Sequence, residues 1–297
     1  MSVTRSSAPE LTSEQVAKVL VQPLAETSKF LAAGPVIYDT TGPFRIPKVN
    51  GMVASGTTTP ATPDWIGESE LITEKDIDFT DVSLLPSTMK SLKTIVRVSN
   101  EMLRASVVSL SAAIQNRLVV DVANRLDAQL LSAGGDGVST PRGLFNYTGT
   151  QSVAVGGALT LDVLLDGWGK ALDANVNLST LKWVMRGREF VRLRKVKDTN
   201  GQYLLQPDPT KDGVFRLWGS EVVISNKVPD TTAATPTARA ALVDFGSIAV
   251  ARDMAPSVVI LNERFAEYDE AGLRIVCRYD AKPVTPEGII VFNGITI

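Results

Sequence analysis

The chain has 297 residues, 44% of them hydrophobic and 21% charged, with 30 Lys and Arg against 32 Asp and Glu for a net charge of −2. This is enough apolar sequence for a sizeable core, in two ordinary domains or one with a large insertion, and too little net charge to attract nucleic acid or an acidic membrane globally. There is no histidine and a single cysteine, which excludes Ser-His-Asp and Cys-His machinery, the usual zinc sites and an internal disulfide.

No apolar run is long enough to span a bilayer, and the N-terminus MSVTRSSAPELTSEQ has no apolar signal region. The expectation is a soluble chain made in a reducing cytoplasm. The first residues read as a tail, and LTSEQVAKVLVQPLAETSKFLAAG then reads as helical. Thr12 or Ser13 can cap it, Pro23 kinks or ends it, and Gly34-Pro35 stops it.

From 36 to 99 the texture changes to strands and turns. FRIPKVNGMVAS reads as one arm of a long hairpin, with IDFTDVSLL and then LKTIVRVS as the returning arm. Ile77 and Phe79 alternate on one face, while Val82 and Leu84 resume one residue out of phase, which predicts a bulge in that arm. Between the arms, SGTTTPATPDWIGESELITEK is too polar and too rich in Pro and Thr to pack a core, and a loop this long needs a job. Its carboxylates do not follow a calcium-loop pattern and read as a solvated acidic loop, with Glu68 and Glu70 among them. Trp65 stands out, because an exposed aromatic on an extended loop marks contact with another chain.

SNEMLRASVVSLSAAIQNRLVVDVANRLDAQLLSA predicts one long helix, N-capped by Ser99. Its apolar stripe runs Leu103, Val107, Leu110, Ile114, Leu118 and then passes to Val119, Val122, Leu126 and Leu130, so the helix lies across two surfaces. GGDGVSTPRGLFN ends it. That stretch has the glycines of a phosphate cradle at the wrong end of a helix, lacks a Gly-Lys pair, and breaks the Rossmann spacing at Thr140 and Pro141.

Strand TQSVAV precedes a helix capped by Thr160, with Leu161, Leu164, Leu165, Trp168 and Leu172 expected inward. LKWVMRG is a strand and REFVRLRKVKD a short helix, on which Arg188, Arg192 and Lys195 share a face. That face is a solvated or inter-subunit surface, in preference to a phosphate-backbone contact. Asp198-Thr-Asn-Gly is a turn. The remaining sequence is strand-rich, with DEAG as a hairpin turn and Cys277 on the alternating face of Leu273, Ile275 and Tyr279, a buried strand cysteine.

LLPSTMKSLKTIVRVSNEMLRAS resembles the signature of tailed-bacteriophage major capsid proteins, in which a proline-containing strand leads into a long helix. GGDGVSTPRGLF resembles their Gly-x-Gly…Pro-x-Gly-Leu turn. Tyr203-Leu204-Leu205, Leu217-Trp218-Gly219, Val222 and Pro229 are similar to a later series, and LVDFGSIAVARD to a final one with its Asp and Gly displaced. The matches run colinearly over about 84 to 253.

The resemblance implies an α+β fold of the Hong Kong 97 type. It comprises an N-terminal arm (1–43), an extended β-hairpin loop (44–90), a peripheral domain with a long spine helix (91–149 and 254–282, the helix about 107–132), and an axial α/β domain (150–253 and 283–297). It implies a shell subunit with no enzymatic activity and no cofactor or metal, forming hexamers and pentamers of itself around double-stranded DNA held by non-specific contact. A scaffolding protein, a portal and a cement protein are the partners such a shell uses; no membrane is implied. Its place is the virion capsid, assembled in the host cytoplasm. Inter-subunit contacts are expected at Trp65, Glu68, Glu70, Arg188 and Arg192. Some members join lysine and asparagine across subunits; Lys75 and Asn262 are the conceivable pair here, though the solvated-loop reading is preferred. The initiating Met1 argues against a processed form. The alternatives are an encapsulin-type shell around a cargo enzyme, and a histidine-free hydrolase.

Overall fold

A computed structural model of the chain describes residues 28–57, 59–85, 91–101, 110–205, 215–231, 236–261 and 263–297. Helix α1 (Lys29–Ala32) and strand β1 (Val36–Asp39) lead into a long antiparallel pair, β2 (Phe44–Ala54) and β3 (Lys75–Leu84). Strand β4 (Leu92–Ser99) precedes helix α2 (Leu110–Leu130). Next come β5 (Gln151–Ala154), α3 (Leu161–Asp173), β6 (Leu181–Met185), α4 (Gly187–Arg194), β7 (Arg216–Leu217) and β8 (Ser220–Ile224). The chain closes with β9 (Thr237–Asp244), β10 (Ile248–Leu261), β11 (Glu270–Pro283) and β12 (Ile289–Thr296).

Three sheets result: a six-stranded one in the order β5-β12-β9-β6-β8-β7, a four-stranded one in the order β1-β10-β11-β4, and the two-stranded pair β2-β3. The six-stranded sheet is covered on both faces, and its strands show why. Ala238, Ala240 and Leu242 of β9, Ile290 and Phe292 of β12, and Trp183 of β6 join α3 and α4 in one core. The intervening Ala241, Val243, Ile289, Val291 and Val184 join α2 and the four-stranded sheet in the other. Period-two alternation therefore buries apolar side chains on both sides over much of the sheet.

Helix α2 buries Leu118, Val119, Val122, Ala123, Leu126 and Leu130. Each large side chain among them contributes on the order of 2 kcal/mol by leaving water. This is the second half of the expected stripe; its beginning at Leu103 and Val107 lies outside the described residues. Asp127 is the buried polar member. Its carboxylate accepts from Ser28 Oγ (2.5 Å), Lys29 N (2.8 Å) and Phe30 N (3.2 Å), so it caps α1 from another helix. Cys277 is buried beside Leu273, Ile275 and Tyr279, and burial pushes its thiol up to about 12.

Four expectations are corrected. LKTIVRVS is not part of the hairpin's returning arm: β4 pairs with β11 at the edge of the four-stranded sheet. The bulge is absent from β3 and lies on β2, where Asn50 is the extra residue between the Val49–Phe79 and Gly51–Asp78 pairs. Leu165 and Leu172 of α3 are exposed, because the helix turns Leu164, Gly167 and Ala171 inward. Gly167 faces Phe292 so closely that a Cβ there would stand 2.1 Å from the ring, and this sets the helix rotation. The β10–β11 connection is longer than DEAG and includes a 3-10 turn, Ala266–Tyr268, ending on the left-handed Asp269.

After α2 the loop closes on itself. Phe145 N donates to Ser132 O at 3.1 Å and Gly143 N to Gly134 O at 2.9 Å. A Cβ on Gly143 would stand 2.1 Å from Ser132 O, whereas one on Gly137 meets only the flexible Arg142 side chain, at 3.2 Å. Gly137 instead needs its glycine for a φ of +72°. Gly143→Ala is therefore expected to destabilise by about 1–3 kcal/mol, and Gly137→Ala by about 1 kcal/mol. Chemical denaturation of the two variants checks the order; equal stability would contradict it.

Candidate assembly surfaces

The hairpin β2–β3 is two strands wide and uses its faces differently along its length. At the root, the opposed pairs Phe44–Leu84 and Ile46–Val82 share one face. Phe44, Ile46 and Leu84 pack there with Leu85, Ala249, Ala251 and Val284. Further out, the apolar pairs are Val49–Phe79 and Met52–Ile77. β3 runs without a bulge, so Ile77 and Phe79 lie on the face opposite Val82 and Leu84. Val49 and Met52 are three apart and would point to opposite faces in a regular strand; the bulge at Asn50 brings them together. Asn50 is braced on the far side, donating to Asp78 (3.1 Å) and accepting from Thr80 (3.3 Å). The resulting apolar row is exposed, Phe79 at 68% and Val49 at 59%.

Beyond the row, the connecting loop carries Trp65, Leu71 and Ile72 nearly free of contact. Glu68 is exposed, and Glu70 accepts from Gly67 N at 3.1 Å. Lys75 is engaged within the loop, donating to Thr62 O and to Asp64 at 2.7 Å. Asn262 lies outside the described residues.

Two carboxylates fix the hairpin's root to neighbouring rungs of β10–β11. Asp39 receives both Nε and an Nη of Arg252, at 2.5 and 2.8 Å, and this guanidinium holds the Asp39 carboxyl below the usual range. One rung away, the buried Asp280 accepts Leu85 N at 2.9 Å. Burial pushes its carboxyl above the usual range, against the opposing pull of the Leu85 amide and the Lys282 charge. Leu85 is fully buried at a φ of +51°, a strained conformation for a leucine. Lys282 also donates to Ser83 O at 2.5 Å.

Arg188 and Arg192 are on α4, away from the hairpin, so the expected contact residues form two separate groups. Glu189 is fully buried, and a buried carboxylate needs partners. Arg188 Nε donates to it at 2.8 Å and Arg192 at 3.4 Å. Arg192 also reaches Thr296 O at 2.5 Å, and Arg186 and Arg188 share Asp230. Both arginines nonetheless keep over a third of their side-chain surface exposed.

The Gly-rich loop is filled by its own carboxylate. Asp136 accepts the Ser139 hydroxyl and the amides of Val138, Ser139 and Thr140, the amides at 2.9–3.0 Å, and these donors, the hydroxyl foremost, hold its carboxyl far below the usual range. The donors a phosphate would need are occupied. Among the described residues, no three or more of His, Cys, Asp and Glu cluster to hold a metal ion, and no helix is long and apolar enough to cross a membrane.

The sequence pattern of the phage capsid family matches residues 11–294. The chain belongs to that family. Solved structures agree in fold. The capsid of an empty GTA particle, computed with C5 symmetry, has a TM-score of 0.71 at 20% identity, covering 90% of this chain and 89% of that one. A chain from Microbacterium phage Oxtober96 has 0.68 at 15% identity, covering 98% and 99%. One from Mycobacterium phage Adephagia has 0.66 at 16%, covering 89% of each. A comparison with curated proteins returned no match. The fold is α+β, of the Hong Kong 97 capsid type.

Half of this capsid protein's exposed apolar row is not legible in the sequence. Ile77 and Phe79 were legible as a phase change, but Val49 and Met52 were hidden by the bulge. Nor is Asp280 legible there, since an aspartate inside a strand pattern gives no sign that it will anchor an amide distant in sequence. Asp280→Ala leaves the Leu85 amide unpaired in the interior and is expected to cost about 1–3 kcal/mol. Asp280→Asn retains an acceptor and is expected to cost less. Thermal unfolding of both variants checks this, and an equal loss would place the effect elsewhere.

Proposed function

We propose that this capsid protein is the major head subunit, assembling as hexamers and pentamers of itself into an icosahedral shell around double-stranded phage DNA. The family match over residues 11–294 carries the proposal. The hairpin supports it: a two-stranded element whose apolar row is exposed among the described residues is suited to lie on a neighbouring subunit. Trp65, Glu68 and Glu70 would extend that contact from the loop. The subunit works by association and rearrangement, without substrate turnover. An encapsulin-type shell is not favoured, since the similar structures come from GTA and phage particles.

In this proposal residues 1–43 are the arm and 44–90 the extended loop, 91–149 with 254–282 the peripheral domain, and 150–253 with 283–297 the axial domain. The pairing of β1 with the start of β10 in the four-stranded sheet supports counting both with the peripheral domain. Contact with DNA is non-specific, in keeping with the net charge of −2. A scaffolding protein, portal and cement protein are the partners proposed, with assembly in the host cytoplasm.

The test is expression with the reading frames flanking its gene, followed by electron microscopy. Large icosahedral particles are expected. Small shells around a protein cargo would favour the encapsulin, and small oligomers with no shell would defeat both. Ile77→Asp with Phe79→Asp alters only exposed positions, so the subunit is expected to keep its melting temperature while shell yield falls at least about tenfold.

A further inference from the structure

Helix α3 carries a second exposed apolar surface. Leu161, Leu165, Trp168 and Leu172 fall within about 60° of one another round the helix. Leu165 and Leu172 are exposed, and Leu161 and Trp168 half-buried. The surface is prolonged by Trp218, whose ring centroid is 6.5 Å from that of Trp168. Trp218 occupies the tight turn between β7 and β8 with a φ of +47°, followed by Gly219 at +83°. That pair of positive angles is the two-residue hairpin turn of the primed kind, and it holds a bulky side chain at the surface against a steric cost.

Beside this row lies a row of one charge. Asp162, Asp166 and Asp173 are exposed, lie within about 40° of one another, and form no ion pair with any described residue. Helix α4 has the opposite character. Arg188, Arg192 and Lys195 lie within about 60° of one another, and the exposed Val191 sits beside Lys195, about 40° away. Arg188 and Arg192 are partly satisfied by the buried Glu189, whereas Lys195 makes no ion pair with a described residue.

Among the described residues no ion pair joins the acidic row of α3 to the basic face of α4. α3 packs on β12 and β5, at one edge of the six-stranded sheet. Phe190 of α4 packs against Phe215, 4.9 Å between ring centroids, just before β7, while Arg192 of the same helix reaches Thr296 O at the end of β12. Two different, complementary patches on one subunit describe a heterologous contact between copies, which repeats into a closed ring when its rotation closes.

We infer that α3 of one subunit docks on α4 of the next, Leu165, Leu172 and Trp218 meeting the Val191 face and the aspartate row meeting Lys195, Arg188 and Arg192. The occupant of the α3 face is thus a second copy of this chain. This rests on the capsid reading and adds which surfaces join neighbours within a capsomer. Complementary charge fixes the register and direction of such a contact and suppresses wrong pairings.

The test is charge reversal with compensation in the particle-forming system described above. Asp166→Lys with Asp173→Lys alters exposed positions only, and a lysine in the last turn suits the helix dipole, so folding is preserved. Circular dichroism and the melting temperature verify this. The reversed chain is expected to lose capsomers and particles by about 100-fold or more, with adding Lys195→Glu to the same chain restoring a substantial part. Should folding suffer, Leu165→Ser with Leu172→Ser, which adds no charge, is expected to reduce capsomers on its own. Undiminished assembly of the reversed chain overturns the inference and leaves the capsid reading intact. Loss without recovery on compensation also overturns it, since the α3 face then docks on a scaffold, a cement protein or another surface of the subunit. If the unaltered chain forms no shell, the capsid reading fails and this inference with it.

Discussion

Two carboxylate contacts, made at adjacent rungs of the β10–β11 pair, hold the hairpin to the rest of the subunit. Asp39 grips Arg252 on the way out, and Asp280 takes the Leu85 amide on the way back. Between these points the chain makes an excursion of two strands, with no third strand beside them among the described residues. Such a pair is marginal alone in water. Its root is secured by apolar packing and by these anchors, and its outer half keeps an uncovered apolar row. The anchors are expensive in their own right, since burial opposes ionisation of Asp280 and Leu85 sits at a positive φ. Such costs persist where the surrounding structure over-determines the geometry. Here the geometry is the direction in which the hairpin leaves the body.

The switch of apolar face along the hairpin follows from the same division. A strand of strict alternation would bury or expose the same side throughout. β3 changes phase between Phe79 and Val82, so its root faces its own sheet and its outer part faces away. β2 reaches the same arrangement by a bulge instead of a phase change in the sequence. The two strands thus solve one problem differently. A bulge re-aims side chains without breaking the pair, and the Asn50 side chain tethers it through Asp78 and Thr80.

This explains what could be read from the sequence. The later part of the long helix, the Thr160 cap, the buried Cys277 and the strand-rich C-terminal segments are local or periodic signals, and each stands in the structure. The phase change in β3 was visible too, but alternation alone cannot say whether a slip is an extra residue or a change of partner. The assignment of β4 to the hairpin failed for a related reason: a strand's pattern states that it has a buried face and not which sheet supplies it. On α3 the apolar residues cover more than one face, and a helical wheel does not reveal which of them the sheet takes. Gly167 decided it, because a helix can approach the Phe292 ring that closely only where it has no side chain.

The residues expected at contacts divide along the same line. Trp65 was identified because an aromatic in a polar loop contrasts with its surroundings. Arg188 and Arg192 were identified as a charged face, but their first task is internal, since Glu189 beneath them is fully buried and cannot remain unpaired. A buried carboxylate that orders two arginines at the surface also fixes where their remaining donors point. Pre-ordered cations lose less side-chain entropy on meeting an anionic face than free ones would. The buried acid thereby links the interior of the subunit to its outer charge pattern.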